Sequence, residues 1–162
     1  LIVAGFMILW YRIPGIIAAV SLAMYGAIVL ALFKLIPVTL TAAGIAGFVI
    51  SLGMAVDANI LIFERMKEEL QSGKSIPDAI GVGFSRAWLS IRDGNLSSVI
   101  AAFVIFILFS TSFIRGFATT FIIGVLVSML TAVTASRFFL YGVSSKKTHG
   151  IMRVLFGSGV KK

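Results

Sequence analysis

The chain has 162 residues, 59% of them hydrophobic and 12% charged, with a mean hydropathy of +1.09; that balance excludes a soluble domain of this size. With no cysteine, neither a disulfide framework nor a thiolate metal site is available. A net charge of +8 would point to nucleic acid in a soluble protein, but the placement of the basic residues points to a membrane topology instead, and no nucleic acid is expected as a partner.

A hydrocarbon core about 30 Å thick takes roughly 20 helical residues to cross. Apolar stretches of that length cover about residues 15–36, 39–63, 94–112 and 115–141, and a shorter one, about 1–11, opens the chain. The short alternating segments of a membrane barrel are not seen. The expected fold class is all-α: a polytopic transmembrane helix bundle over residues 1–145, followed by a basic cytoplasmic tail at 146–162. The opening run LIVAGFMILWYR has neither the basic region nor the cleavage site of a signal peptide and reads as the back half of a truncated span.

In the second stretch Gly15, Ala19, Ala23, Ala27 and Ala31 recur every four residues, which places them along one helical stripe. Lipid tails are as apolar as leucine, so membrane helices associate through close backbone approach at small residues and through polar contacts. Such a stripe therefore predicts a packing face. The third stretch has a shorter version in Ala43, Gly47 and Ser51.

The third stretch ends in GMAVDANILIFERMKEEL, residues 53–70. Asp57 precedes Glu64 by two helical turns, about 10 Å along the axis, and so falls within the hydrocarbon region. An aspartate at such depth costs about 2.5–3.5 kcal/mol on insertion scales, and acids placed there mark ion or proton pathways. Gly53 lies one turn before Asp57 on the same face, with Ala46 and Ile50 beyond, leaving room for a neighbouring helix or a file of water. Asn59 projects to the opposite side, where it ties this helix to a neighbour and keeps it in register. Glu64 with Glu68 and Arg65 with Glu69 have helical neighbour spacing and read as a solvated helix end.

Beyond this helix, Ser75 with Asp78 forms a capping box with Pro77 in the first turn. Ile80, Phe84, Ala87, Trp88 and Ile91 share a face at helical spacing. The segment predicts an amphipathic cytoplasmic helix over about 76–91, with Trp88 at headgroup depth. A polar group follows: Arg92, Asp93, Asn95, Ser97 and Ser98. Two readings stand: Asp93 and Asn95 cap the span that starts near 94, or Asn95 with Ser97 and Ser98 continues a proton path from Asp57. In the last stretch Gly116, Thr120, Gly124, Ser128, Ala132 and Ser136 form an unbroken four-residue ladder, again a predicted packing face. Arg115 before it snorkels or anchors the helix start.

With the turn after Arg12 in the cytoplasm, Arg65, Lys67, Lys74, Arg86, Arg92, Arg137 and the basic residues from Lys146 onward share that side. Only Lys34 and Arg115 face out, which is the positive-inside signal. The tail is expected near anionic headgroups, and His149 within it reads as a solvated residue. No nucleophile with a base, no metal-ligand cluster and no phosphate-binding glycine loop is present in the sequence, so neither an enzyme nor a metal or other cofactor is expected.

GMAVDANILIFERMKEEL, the GKSIPDAI loop, SIRDGNLSSVI and RGFATTFIIGVLVSMLTA together resemble the membrane domain of the SecD family of protein-export subunits, over nearly the whole chain. The resemblance implies that the spans present are the family's helices two to six. Its first helix and large periplasmic domain would precede Leu1. It also implies half of a resistance-nodulation-division-type membrane domain, completed by SecF in a bacterial inner membrane. There the pair would use the proton motive force, with sodium as an alternative ion, to help draw a preprotein driven by SecA out of SecYEG. Asp57 corresponds to the family's ion-relay aspartate, with an arginine and an aspartate expected from SecF. Ser97 and Ser98 stand where the family commonly has threonines, and Gly94 where it has alanine. The end of the chain fits a free-standing subunit or the linker of a fused one. Two other readings remain: half of a proton-driven drug or lipid exporter of the same superfamily, and a non-transporting membrane scaffold in which Asp57 only bonds a neighbouring helix. A single acid beside an amide favours the export reading over the exporter.

Overall fold

A computed structural model describes residues 2–36, 38 and 40–143 of the chain; the expected basic tail at 146–162, with His149, lies outside the described residues. All regular structure among them is helical: α1 (Ile2–Tyr11), α2 (Ile13–Leu35), α3 (Ala42–Gln71), α4 (Ile76–Leu108), α5 (Ser112–Thr131), a π-helical turn (Ala132–Ser136) and α6 (Arg137–Val143). Four helical stretches, Ile13–Leu35, Ala42–Gln71, Ile76–Leu108 and Ser112–Gly142, are long and apolar enough to cross a membrane. The chain is a multi-pass, all-α membrane protein.

Local chemistry sets the helix starts. Thr41 caps α3 by accepting the Gly44 N–H at 3.1 Å, satisfying one of the backbone donors left open at a helix N-terminus. Ser75 caps α4 in the same way, accepting the Asp78 N–H at 3.3 Å while its hydroxyl donates to the Asp78 carboxylate. Pro77 lies in the first turn. Between α1 and α2, Arg12 is left-handed at φ 53°, which breaks the helix and folds α1 back against α2. At the outer end Arg115 donates to the Phe109 carbonyl at 2.9 Å and lies 5.4 Å over the Phe106 ring. It anchors the α4–α5 turn.

The break expected between a surface helix at 76–91 and a span beginning at 94 is absent, for α4 runs continuously from Ile76 to Leu108. No proline follows Pro77 in the first turn, and Gly94, the one glycine at the expected break, costs only about 1 kcal/mol relative to alanine in a helix. Burial of Ile80, Phe84, Ala87 and Ile91 against the end of α3 offsets that cost. A helix of 33 residues is about 50 Å long and overshoots a hydrocarbon core of about 30 Å. Its first turns therefore stand beyond the membrane, beside the charged end of α3 that follows Phe63.

α3 is the central element, packed most extensively on α5 and then on α4. The α5 ladder is the packing face the sequence predicts: Thr120, Ser128 and Ser136 are fully buried and Ala132 nearly so. A Cβ on Gly124 would lie 2.0 Å from Ser51 Oγ, and one on Gly47 would lie 2.5 Å from Thr120 Oγ1. Only hydrogen permits so close an approach. The α2 stripe divides: Gly15 is buried, with a Cβ there only 2.1 Å from the Met7 carbonyl oxygen of α1, and Ala19 is half-buried, but Ala23, Ala27 and Ala31 are exposed, while Ser21, Tyr25, Val29 and Phe33 are buried. Beyond Ala19 the α2 contact uses large rings, with Tyr25 and Phe33 both packed on Phe48, so that part of the small-residue stripe faces away from the bundle.

Candidate functional site at the centre of the third helix

Asp57 and Gly53 both lie on an exposed face of α3. A Cβ added to Gly53 would meet nothing within 4 Å, so this glycine makes no close helix contact among the described residues, unlike Gly124. Gly116, at the start of the α5 ladder, is partly buried, with its carbonyl oxygen 3.0 Å from Thr120 Oγ1. Of the six acidic residues, the others all have partners. Glu64 takes Tyr11 and Lys67; Glu68 takes Arg65 and Arg86; Glu69 takes Lys74 and Arg86. Asp78 bonds Ser75 and Asp93 pairs with Arg92. Asp57 forms no hydrogen bond or ion pair with any described residue.

The opposite side of α3 is tied down at successive levels. Near the start of α3, Thr120 donates to the Gly44 carbonyl at 2.8 Å. One level further in, Tyr25 and Ser51 share a hydrogen bond at 2.7 Å. Because Ser51 donates its own proton to the Phe48 carbonyl at 2.8 Å, it is Tyr25 that donates to Ser51. At the level of Asp57, Asn59 is buried, donating to the Ala55 carbonyl at 3.0 Å and accepting from Ser136 at 2.6 Å. Ser136 Oγ also lies 3.1 Å from Ser21 Oγ. Ser136 belongs to the π-helical turn, and such turns inside α-helices are frequent at functional sites. Here the turn interrupts the expected continuous last span and joins α2, α3 and the end of the bundle through one hydroxyl. Asn59 thus bonds both the backbone of its own helix and the π-helical turn.

The second polar group divides. Asp93 and Ser97 are exposed, and Arg92 Nε donates to Asp93 Oδ1 at 2.8 Å. Ser98 donates to the Gly94 carbonyl at 3.1 Å. Asn95 is buried, with an Nδ2 that has no partner among the described residues. Asp93 and Asn95 lie inside α4 and cap nothing, because the helix already starts at Ser75. No hydrogen bond joins Asn95, Ser97 or Ser98 to Asp57.

Where α3 emerges past Phe63, Lys74 and Arg86 each reach Glu69 at 2.5 Å, and Arg86 lies 3.2 Å from Glu68. The hydrogen bond from Lys74, and then that from Arg86, hold the Glu69 carboxyl below its ordinary range. Glu69 in turn raises the Arg86 guanidinium. This cluster clamps the α3–α4 hairpin. Local spacing predicts only pairs within α3, and the realised ones, Arg65 with Glu68 and Lys67 with Glu64, are three residues apart rather than four.

Among the described residues, then, the chain is a helical bundle whose central helix carries an unpaired carboxylate on an exposed face. Residues 2–139 match the MMPL family, and the chain belongs to it. More particularly, it is similar to SecD. It is 56% identical over 146 residues to the protein translocase subunit SecD of Thermobaculum terrenum, covering 88% of this chain and 28% of that protein. With SecDF of Bacillus subtilis it shares 47% over 135 residues, 83% of this chain and 18% of that one. The crystal structure of SecDF from Thermus thermophilus superposes with a TM-score of 0.83 at 37% identity, over 87% of this chain and 20% of that one. The chain therefore spans less than a third of the length of each of these proteins, and the resemblance to the SecD membrane domain is borne out.

Proposed function

We propose that the chain is the membrane part of a protein-export subunit in a bacterial inner membrane, in which Asp57 carries the coupling ion, a proton or alternatively sodium. The observation that carries this reading is the exposed, unpaired Asp57 carboxylate with the open surface at Gly53 beside it. A charge within the membrane is tolerated when a partner or water compensates it, and no described residue pairs with Asp57. The missing compensation is assigned to SecF, packed on this face, so that the ion path runs between the two halves. Movement of the ion would then drive the parts of the subunit outside the membrane as they act on a preprotein that SecA has pushed into SecYEG. The role is mechanical coupling, not catalysis of a covalent step, and calls for no cofactor. The scaffold alternative requires Asp57 to bond a neighbouring helix, and among the described residues it bonds none.

The test is preprotein translocation by membrane vesicles holding the full-length protein with Asp57→Asn, with and without a proton gradient, after checking that SecF is retained. Loss of the gradient-dependent part alone supports ion carriage. Undiminished gradient-driven export would reduce Asp57 to a packing group.

A further inference from the structure

Arg137 is a charge without an acidic counterpart among the described residues. It forms no hydrogen bond or ion pair among the described residues, and all six acidic side chains of the chain are described and lie elsewhere: five are committed as above, and Asp57 has no ion pair. The undescribed tail SSKKTHGIMRVLFGSGVKK holds no acidic side chain. What holds the guanidinium is aromatic: its Cζ lies 6.0 Å from the Phe84 ring centroid and 5.8 Å from that of Tyr141, within the reach of cation–π attraction. Rings attract a cation but do not neutralise it.

Arg137 stands at the edge of a cavity of about 360 Å³ between α4 and the π-helical turn, walled by Ile62, Phe84, Trp88, Ile91 and Val133, with Ser85 its other polar side chain. A mostly apolar pocket with one charged group has the composition of a ligand site. Its depth identifies the ligand. Arg137 begins α6 at the cytoplasmic end of the last span, and Trp88 lies where α4 passes from its projecting turns into the membrane, the level at which tryptophan and phosphate headgroups meet. A molecule that fits must be anionic at the water side and apolar toward the membrane.

We propose that this cavity binds an anionic phospholipid, its phosphate on Arg137 and the start of an acyl chain against Ile62, Ile91 and Val133. Guanidinium is suited to a phosphate because its planar donors pair with two oxygens. Such a lipid would brace the π-helical turn against α4, beside the turn that carries Ser136.

Native mass spectrometry of the purified full-length protein, titrated with phosphatidylglycerol and with phosphatidylcholine of the same acyl chains, tests the proposal. The expected result is a retained phosphatidylglycerol whose apparent Kd rises about five-fold or more in Arg137→Gln, the change carried by one membrane-surface cation. Arg92→Gln, which removes a cation already paired with Asp93, should leave it unchanged. Val133→Trp, which fills the cavity and keeps the charge, should weaken binding as well. Equal retention of the two lipids, or unchanged binding in both Arg137→Gln and Val133→Trp, overturns the proposal. Displacement by glycerol phosphate at concentrations comparable to the lipid also overturns it, since the cavity would then contribute nothing. So does binding that survives Arg137→Gln but disappears when residues 146–162 are removed, because the lipid would then belong to the tail.

Discussion

The two sides of α3 differ most at the level of Asp57. On one side Asn59 uses its amide twice, toward the Ala55 carbonyl and Ser136, and is sealed from solvent. On the other, Asp57 is exposed beside a glycine with nothing near it. Polar groups on the first side are satisfied within the chain and serve its fold. The second side carries a charge that the fold neither needs nor compensates. Substitutions on the inner side should therefore alter stability first, and those on the outer side should alter function while leaving stability intact.

The largest stability effect is expected at the α3–α5 contact. Gly124→Val places carbon where Ser51 Oγ and the Tyr25 hydroxyl now lie, since even a Cβ would come within 2.0 Å and 2.9 Å of them. Overpacking of this kind costs about 1–3 kcal/mol, and here it also breaks the Tyr25–Ser51 bond. The Tm of the purified full-length protein should fall clearly. An unchanged Tm would mean that the two helices are free to separate, and the inner face would lose its claim to hold the fold.

Asn59→Ala comes next. It removes the acceptor of the Ser136 hydroxyl, and interhelical hydrogen bonds in membranes are worth about 0.6 kcal/mol on average and up to roughly 1.7. A Tm loss smaller than that of Gly124→Val is expected, together with reduced gradient-driven export as Asp57 loses its fixed bearing. Asn59→Gln, which keeps the amide, should restore part of both. If Asn59→Ala lowers neither, the register role fails even where Asp57 itself proves essential.

Much of this arrangement is legible in the sequence. Intramembrane Asp57 and Asn59 are conspicuous because little else in their stretch is polar, and the α5 ladder follows from a strict four-residue spacing. The same rule places Gly15 correctly against α1 but misreads the rest of the α2 face. Its alanine stripe is regular, but the buried face is the one bearing Ser21 and Tyr25, polar residues one turn apart in an otherwise apolar helix. That polarity is the signal that spacing obscures. The α3–α4 clamp is out of reach, since Arg86 meets Glu69 across 17 residues and local periodicity says nothing about partners on another helix. The π-helical turn leaves no trace either, because Ala132–Ser136 fits an ordinary α-helix in composition and spacing.

The clamp gives a smaller effect with a definite pH sign. Glu69 has its carboxyl held below the ordinary value of 4.5, so the folded state favours the charged form. Its contribution is fully present above that value and is lost as pH falls through the lower, folded-state value. Acid melting of the α3–α4 end, followed by amide exchange at residues 64–86, should therefore begin at higher pH in Arg86→Gln than in the unsubstituted protein. The same onset in both would show that Arg86 does not stabilise the carboxylate.

Gly53→Ala should have the least effect on stability and is the sharpest test of the contrast with Gly124. A Cβ there meets no atom within 4 Å, and alanine is favoured over glycine in a helix by up to about 1 kcal/mol. The Tm of the isolated subunit should hold or rise slightly. If SecF or a file of water occupies the space beside Asp57, the added methyl enters it, and gradient-driven export falls without any loss of fold. A drop in Tm would mean that Gly53 packs against part of this same polypeptide, and the open face would then belong to the subunit itself. Full export with an unchanged Tm would show that nothing approaches α3 closely at Gly53, and the ion path would have to reach Asp57 from its cytoplasmic side.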